Sequence, residues 1–128
     1  MKFILDTHTF IWWDSNPSEL SQQVLGYCND KSNTLILSVV SVWEMQIKTQ
    51  LGKLKLNLPL ADLIMTQQDT NISQVLPVNL EHVLALENLP IHHKDPFDRL
   101  LIAQSIIEDA ILLSRDKIFS EYPVSVTW

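Results

Sequence analysis

Asp6, Glu44, Asp98 and Asp116 stand far apart in the chain, yet an α/β fold would deliver all of them to one edge of a parallel sheet. Asp6 closes the apolar run Phe3-Ile4-Leu5, and Glu44 opens the helix that follows Leu35-Ile36-Leu37. Asp98 begins the helical stretch Asp98-Arg99-Leu100-Leu101-Ile102-Ala103, and Asp116 follows Ile111-Leu112-Leu113. In such folds strand carboxyl ends and helix amino ends share an edge, and ligands bind there. Carboxylates gathered that closely repel one another unless a cation sits between them. Oxygen ligands drawn from several segments suit a hard divalent ion, Mg2+ or Mn2+. The chemistry this points to is phosphodiester hydrolysis by metal-activated water, with Asp6 and Asp98 as innermost ligands. Glu44 would ligate a second ion or orient the water, and Asp116 would ligate directly or through water.

Each acid also has a plainer explanation. Asp6 can cap a helix starting at Thr7, and Ser41-Val42-Trp43-Glu44 fits the capping-box pattern. Asp95-Pro96-Phe97-Asp98 puts an N-cap residue, a first-turn proline and a first-turn acid in order. Asp116 can cap Lys117-Ile118-Phe119. Helix dipoles favour acids at all these places. Capping does not require those helix starts to share one sheet edge, however, and Asp6 follows a strand that reads as buried, where an unpaired carboxylate is costly. The joint site is the stronger reading.

The elements that must position these acids are legible as βα units. Short apolar runs predict strands at Lys2–Leu5, Thr34–Leu37, Val75–Val78, Ile111–Leu113 and Val124–Val126. Helical patterns cover Thr7–Asp14, Ser18–Asn29, Val39–Leu51, Leu60–Gln68, Leu80–Glu87 and Pro96–Asp109. Gly52 suits the end of the third helix. The last helix is apolar almost all round and reads as central and buried. The class is α/β with a mainly parallel sheet.

With 128 residues, 46% of them apolar and only two glycines, the chain reads as one ordered domain spanning 1–128. A single cysteine, Cys28, excludes a disulfide framework and a cysteine-based zinc site, and fits a reducing cytoplasm. No apolar stretch reaches bilayer-spanning length, so no membrane role is expected. The net charge of −6 argues against a basic nucleic-acid surface, although metal ions at the carboxylates would offset part of it. Lys48, Lys53 and Lys55 read first as solvated surface and second as phosphate contacts.

Four segments, taken in order, carry a resemblance. Phe3-Ile4-Leu5-Asp6-Thr7, Ser41-Val42-Trp43-Glu44, Asp98-Arg99-Leu100-Leu101-Ile102-Ala103 and Leu112-Leu113-Ser114-Arg115-Asp116 follow the pattern of PIN-domain proteins across essentially the whole chain. The closest likeness is to VapC-type toxins of bacterial toxin–antitoxin pairs, especially those with a His-x-Asp-Pro-Phe-Asp-Arg segment, here His93 to Arg99. The resemblance implies a three-layer α/β/α sandwich and a metal-dependent endoribonuclease with Asp6, Glu44, Asp98 and Asp116 as its metal-binding acids. It also implies a homodimer and a cognate antitoxin that occupies or distorts the cleft. Many relatives carry Thr-x-Asn-x-x-Asp after the fourth strand, whereas this chain has Ser114-Arg115-Asp116 and places Phe119 in the last acidic slot.

Supporting roles fall to Asp95, a helix cap first and an added acid second, and to Ser114, which would position a ligand or form a turn. Arg99 and Arg115 would pair with neighbouring carboxylates or meet phosphates. His92 and His93 are adjacent and cannot readily share a metal. His8 reads as a surface or packing residue. Of Trp12 and Trp13, one belongs to the core and the other to a dimer or antitoxin surface. A receiver-type signalling domain lacks the strand-end aspartate and lysine it would need. A DNA nuclease, or a PIN fold kept only as a protein- or RNA-binding module, stays open.

Overall fold

Alternate residues of the central strands decide the layering. Phe3, Leu5, Leu35, Leu37 and Leu113 pack into one buried cluster, while Ile4, Ile36 and Leu112 pack into another. Successive side chains on a strand point to opposite faces, so both faces of this sheet are covered and the middles of its central strands are unbroken apolar runs. Full burial of each such side chain contributes about 1.5–3 kcal/mol.

A computed structural model describes residues 1–128. The chain runs β1 (Lys2–Leu5), α1 (Thr7–Ser15), α2 (Gln22–Asn29), β2 (Thr34–Ser38), α3 (Val39–Gln50) and α4 (Leu60–Thr70). It continues through β3 (Gln74–Leu76), α5 (Leu80–Ala85), α6 (Pro96–Ile107), β4 (Ile111–Leu113) and β5 (Val126–Thr127). The five strands form one sheet in the order β3-β2-β1-β4-β5, and every pair is parallel. Parallel crossovers are right-handed. The steps β1→β2→β3 and the return β3→β4 run in opposite directions, and their helices therefore fall on opposite faces. Phe10, Val24, Met45 and Leu63, from α1 to α4, join the first cluster, and Leu101, Ile102 and Ala103 of α6 join the second. This is the expected α/β/α sandwich. The sequence order reverses between β1 and β4, and that switch point opens a crevice beyond their carboxyl ends.

Several boundaries move for identifiable reasons. β3 ends at Leu76, before Pro77, which has no N–H for the ladder and whose carbonyl accepts from Gln104 Nε2 at 3.1 Å. β5 begins at Val126 because Val124 N–H closes a tight turn onto the Tyr122 carbonyl at 2.8 Å. The expected helix from Ser18 is a 3-10 turn over Pro17–Glu19 followed by α2, which Ser21 caps. α5 likewise tightens into a 3-10 turn at Leu86–Asn88. α6 is less enclosed than its composition suggests. Residues 101–105 are buried, whereas Ile106 and Ile107 are 41% and 39% exposed. Gly52 follows α3 at φ 72°, a left-handed conformation open to glycine.

Candidate metal centre

β1 delivers Asp6 to the crevice. Its carboxylate caps α1, accepting from the His8 N–H at 2.7 Å, and also accepts from the Ser114 hydroxyl at 2.5 Å. Ser114 sits just past the end of β4, where its oxygen accepts the Asp116 N–H at 3.1 Å. Asp6 N–H donates to the Leu113 carbonyl at 3.1 Å, so backbone and side chain together lock the two strand ends. Asp6 is only 8% exposed. Burial pushes its carboxyl above the ordinary value, the Ser114 and His8 hydrogen bonds oppose that rise, and the nearby Glu44 charge adds to it.

α3 begins earlier than the Ser41 capping box requires. Ser38 is the N-cap, accepting from Val40 N–H at 3.0 Å, which moves Glu44 into the helix's second turn and Ser41 into the protein interior. One Glu44 oxygen accepts from the Thr7 hydroxyl at 2.7 Å, and the other pairs with Lys48 at 2.8 Å, one helical turn on. Ser41 stands behind, 2.9 Å from Thr7 Oγ1.

α6 is capped by Asp95, whose carboxylate accepts from Phe97 and Asp98 N–H groups at 2.9 and 3.2 Å, with Pro96 in the first turn. Asp98 presents its carboxylate from the third residue of that helix. Burial raises its carboxyl to about 6, the Asp95 charge adds to the rise, the His93 hydrogen bond opposes it, and Asp6 adds a further push. Asp116 caps a 3-10 turn over Lys117–Glu121, accepting from Ile118 N–H at 3.1 Å. Phe119, in the slot that is acidic in many PIN proteins, is fully buried in the second cluster.

These segments line one open cleft of about 380 Å³. Its walls carry the carboxylates of Asp6, Glu44, Asp95, Asp98 and Asp116, together with Lys48, Arg115, His8 and Trp12. All four predicted acids are therefore brought together, with Asp95 beside them. The donors are hard oxygens from separate elements, a set whose chemistry fits a hard divalent cation. Negative charge dominates the cleft and gives a divalent ion a clear electrostatic reason to enter.

Other sequence expectations need correction. Arg99 is not paired with a carboxylate. Its Nη1 donates to the Pro90 carbonyl at 2.9 Å and to the Tyr122 hydroxyl at 3.2 Å. Arg115 does reach a carboxylate, Glu19, at 3.5 Å, but its guanidinium also lies 4.3 Å from the Trp12 ring centre, on the cleft wall. Trp12 and Trp13 are both half-buried, so neither is a fully enclosed core residue. Lys48 belongs to the site and not merely to a solvated surface. The signal for it was present in the Glu44–Lys48 spacing, which puts opposite charges on neighbouring turns. Nothing in the spacing pointed to Thr7, whose partner lies 37 residues away.

A tighter cluster lies elsewhere. Ligand atoms of Glu81, His82 and Glu108 fall within 4.8 Å of one another. The Asn79 N–H donates to His82 Nδ1 at 2.9 Å, which leaves the ring proton on Nε2, facing Glu108 at 3.2 Å. A metal on Nε2 would need that proton moved to a nitrogen already facing a donor. The cluster braces α5 against α6.

Fold and cleft together define an α/β/α protein with an acidic site at its switch point. The sequence matches the PIN domain family over residues 3–124, and the chain belongs to that family. No curated protein matches it. Among solved structures it is similar to VapBC2 from Rickettsia felis bound to a DNA fragment from their promoter, with TM-score 0.76, 17% identity, and coverage of 100% of this chain and 99% of that one. It is also similar to DNA-bound VapBC from Salmonella typhimurium, with TM-score 0.71, 16% identity, and coverage of 99% and 97%. VapBC-1 from nontypeable Haemophilus influenzae follows at TM-score 0.65 and 16% identity, with the same coverage. No helix is long and apolar enough to cross a membrane.

Proposed function

We propose that this chain is a metal-dependent endoribonuclease, the toxin of a toxin–antitoxin pair, hydrolysing RNA phosphodiester bonds at the acidic cleft. The observation that carries this is the convergence of Asp6, Glu44, Asp98 and Asp116 at the switch point between β1 and β4. PIN-family membership and the fold likeness to VapBC complexes support it. A bound Mg2+ or Mn2+, singly or as a pair, would supply Lewis-acid activation of water and neutralise charge at the scissile phosphate. Asp6 is held in place by Ser114 and His8, and Asp98 by His93. Asp116 and Asp95 add negative charge at the rim. Glu44, fixed by Thr7 and Lys48, orients the attacking water or extends the metal-binding set. Lys48 and Arg115 are the cleft's cations, and they meet the phosphates flanking the cut. The partners are RNA, a cognate antitoxin and a second copy of the chain, and the compartment is the cytoplasm.

Purified, antitoxin-free protein should be incubated with labelled structured and unstructured RNAs and with single-stranded DNA. The arms are Mg2+, Mn2+ and chelator, with Asp6→Asn beside wild type. Metal-dependent RNA cutting that vanishes in the variant is the expected result. Cutting that survives in Asp6→Asn would overturn the site. A chain that binds RNA but cuts none of it would be a PIN fold retained as a binding module.

A further inference from the structure

Tyr122 is 5% exposed, and its hydroxyl oxygen is where four groups meet. The backbone N–H groups of His92 and His93 and the Arg99 guanidinium each donate to it across 3.2 Å, while His93 Nδ1 lies 2.7 Å away. A phenol oxygen has two lone pairs and one proton. Three N–H donors already crowd those two lone pairs and none of them can accept, so its own proton has one destination. That destination is His93 Nδ1, the nearest of the four. A ring protonated on Nδ1 would instead bring a fourth donor to an oxygen that has no room for it.

With Nδ1 accepting, the imidazole carries its proton on Nε2. Nε2 lies 3.2 Å from Asp98 Oδ2. Asp98 Oδ1 has no hydrogen-bond partner in the protein, and Asp98 lines the acidic cleft. The order of donation therefore runs one way, from Tyr122 to His93 to Asp98. Arg99, the next residue in α6, also bonds the Pro90 carbonyl at 2.9 Å, tying the segment that carries His92 and His93 back to the helix that carries Asp98.

We propose that His93 is a positioning residue for Asp98. Tyr122, backed by Arg99 and two backbone amides, sets the His93 tautomer. The Nε2–H then pins Asp98 Oδ2, and Oδ1 is left for the cation. This rests on the reading of Asp98 as a metal ligand. It assigns work to the tyrosine, histidine and arginine that the acidic set leaves unexplained. Partners of this kind orient ligands and tune their basicity, and their removal typically weakens metal binding about 10–100-fold.

The test combines two readouts. In protein labelled with 15N-histidine, two-bond 1H–15N correlations report the His93 tautomer, and Nε2–H is expected in the wild type, with mixed tautomers in Tyr122→Phe. Calorimetry then measures Mn2+ affinity, with thermal unfolding as a check of the fold. His93→Ala should lose about tenfold or more. His93→Gln, which keeps an N–H near the Nε2 position, should stay close to wild type. An Nδ1–H tautomer in the wild type would overturn the proposal, as would His93→Ala binding Mn2+ like wild type or His93→Gln failing as badly as His93→Ala. If His93→Ala does not fold, the wild-type tautomer and His93→Gln still decide. Absence of Mn2+ binding by the wild type would instead bring down the metal site itself, and this role with it.

Discussion

The Ser114 hydroxyl donates to Asp6 Oδ2 across 2.5 Å, joining residues 108 apart in the chain at the ends of β4 and β1. The bond does two things at once. It gives a buried carboxylate the donor it needs, and it holds that carboxylate at a fixed place in the cleft. Ser114→Ala should cost about 1–3 kcal/mol of stability and about 10–100-fold in Mn2+ affinity. Chemical denaturation and calorimetry on the same samples check both. A stability loss with unchanged affinity would make Ser114 a structural residue alone.

The raised carboxyls predict how metal binding responds to pH. Asp98 titrates near 6 against an ordinary value of 3.8, and Asp6 is raised in the same direction. The metal-free fold therefore holds protons that the unfolded chain releases, and its stability falls as pH rises from about 3.8 toward 6. A cation must displace those protons. Mn2+ affinity should thus climb through pH 6 and level off above it, and metal should stabilise the fold most in that upper range. Titrations from pH 5 to pH 7.5 read this out. A flat profile would place the ion away from Asp6 and Asp98.

Lys48 tests whether a cleft cation contributes to binding more than to folding. Its pairing with Glu44 is an i,i+4 contact with the lysine side chain 33% exposed, a kind of pair contributing about 0.3–0.5 kcal/mol. Lys48→Met should hardly move the unfolding midpoint. RNA affinity should fall, and its salt dependence should become shallower. Filter binding at two or more salt concentrations would show it.

Phe119 should not tolerate the acid that many PIN proteins carry in its slot. It is fully buried against the second cluster. Phe119→Asp would leave a cavity and an unpaired charge together, a loss of about 4 kcal/mol or more. Thermal unfolding, or loss of soluble protein, is the measurement. A folded and more active Phe119→Asp would show that the segment after β4 can swing outward.

Cys28 is 3% exposed, and burial pushes its thiol up to about 12. Thiolate is the reactive form. A disulfide exchange reagent at pH 8 should therefore label native protein only as fast as the chain opens, and should label denatured protein at once. Rapid labelling of native protein would mean that the face covered by α2 opens without global unfolding.

The layering was readable from the chain because strands buried on both faces are apolar without interruption, as in Phe3-Ile4-Leu5 and Leu35-Ile36-Leu37. The placement of Asp6 and Asp116 was readable for the same reason, since each follows such a run. Asp95 declared itself through Pro96. The start of α3 at Val39 was readable, but its cap was not, because Ser38 and Ser41 are both competent caps and it is Ser38 whose side chain takes the first-turn N–H. Contacts made across the fold had no local trace. Thr7 with Glu44, and Tyr122 with Arg99, join segments separated by 37 and 23 residues. The Arg99 side chain was assigned to a carboxylate because charge favours that pairing, but the phenol and the Pro90 carbonyl are what lie within its reach.

The strand order has a consequence for synthesis. The cleft is split between the two ends of the described chain, with Asp6 on the first strand and Ser114 beyond the fourth. A growing polypeptide can pair β1 with β2 early, but β1 gains its other neighbour only when β4 is made. Until then Asp6 lacks its serine donor, and one side of the crevice has no wall. At translation rates of about 5–20 residues per second, the protein spends several seconds on the ribosome with half of its fold in place and no complete site. Termination between residues 99 and 110 would therefore release fragments that retain Asp6, Glu44 and Asp98 but lack β4 and the Ser114 donor that fixes Asp6.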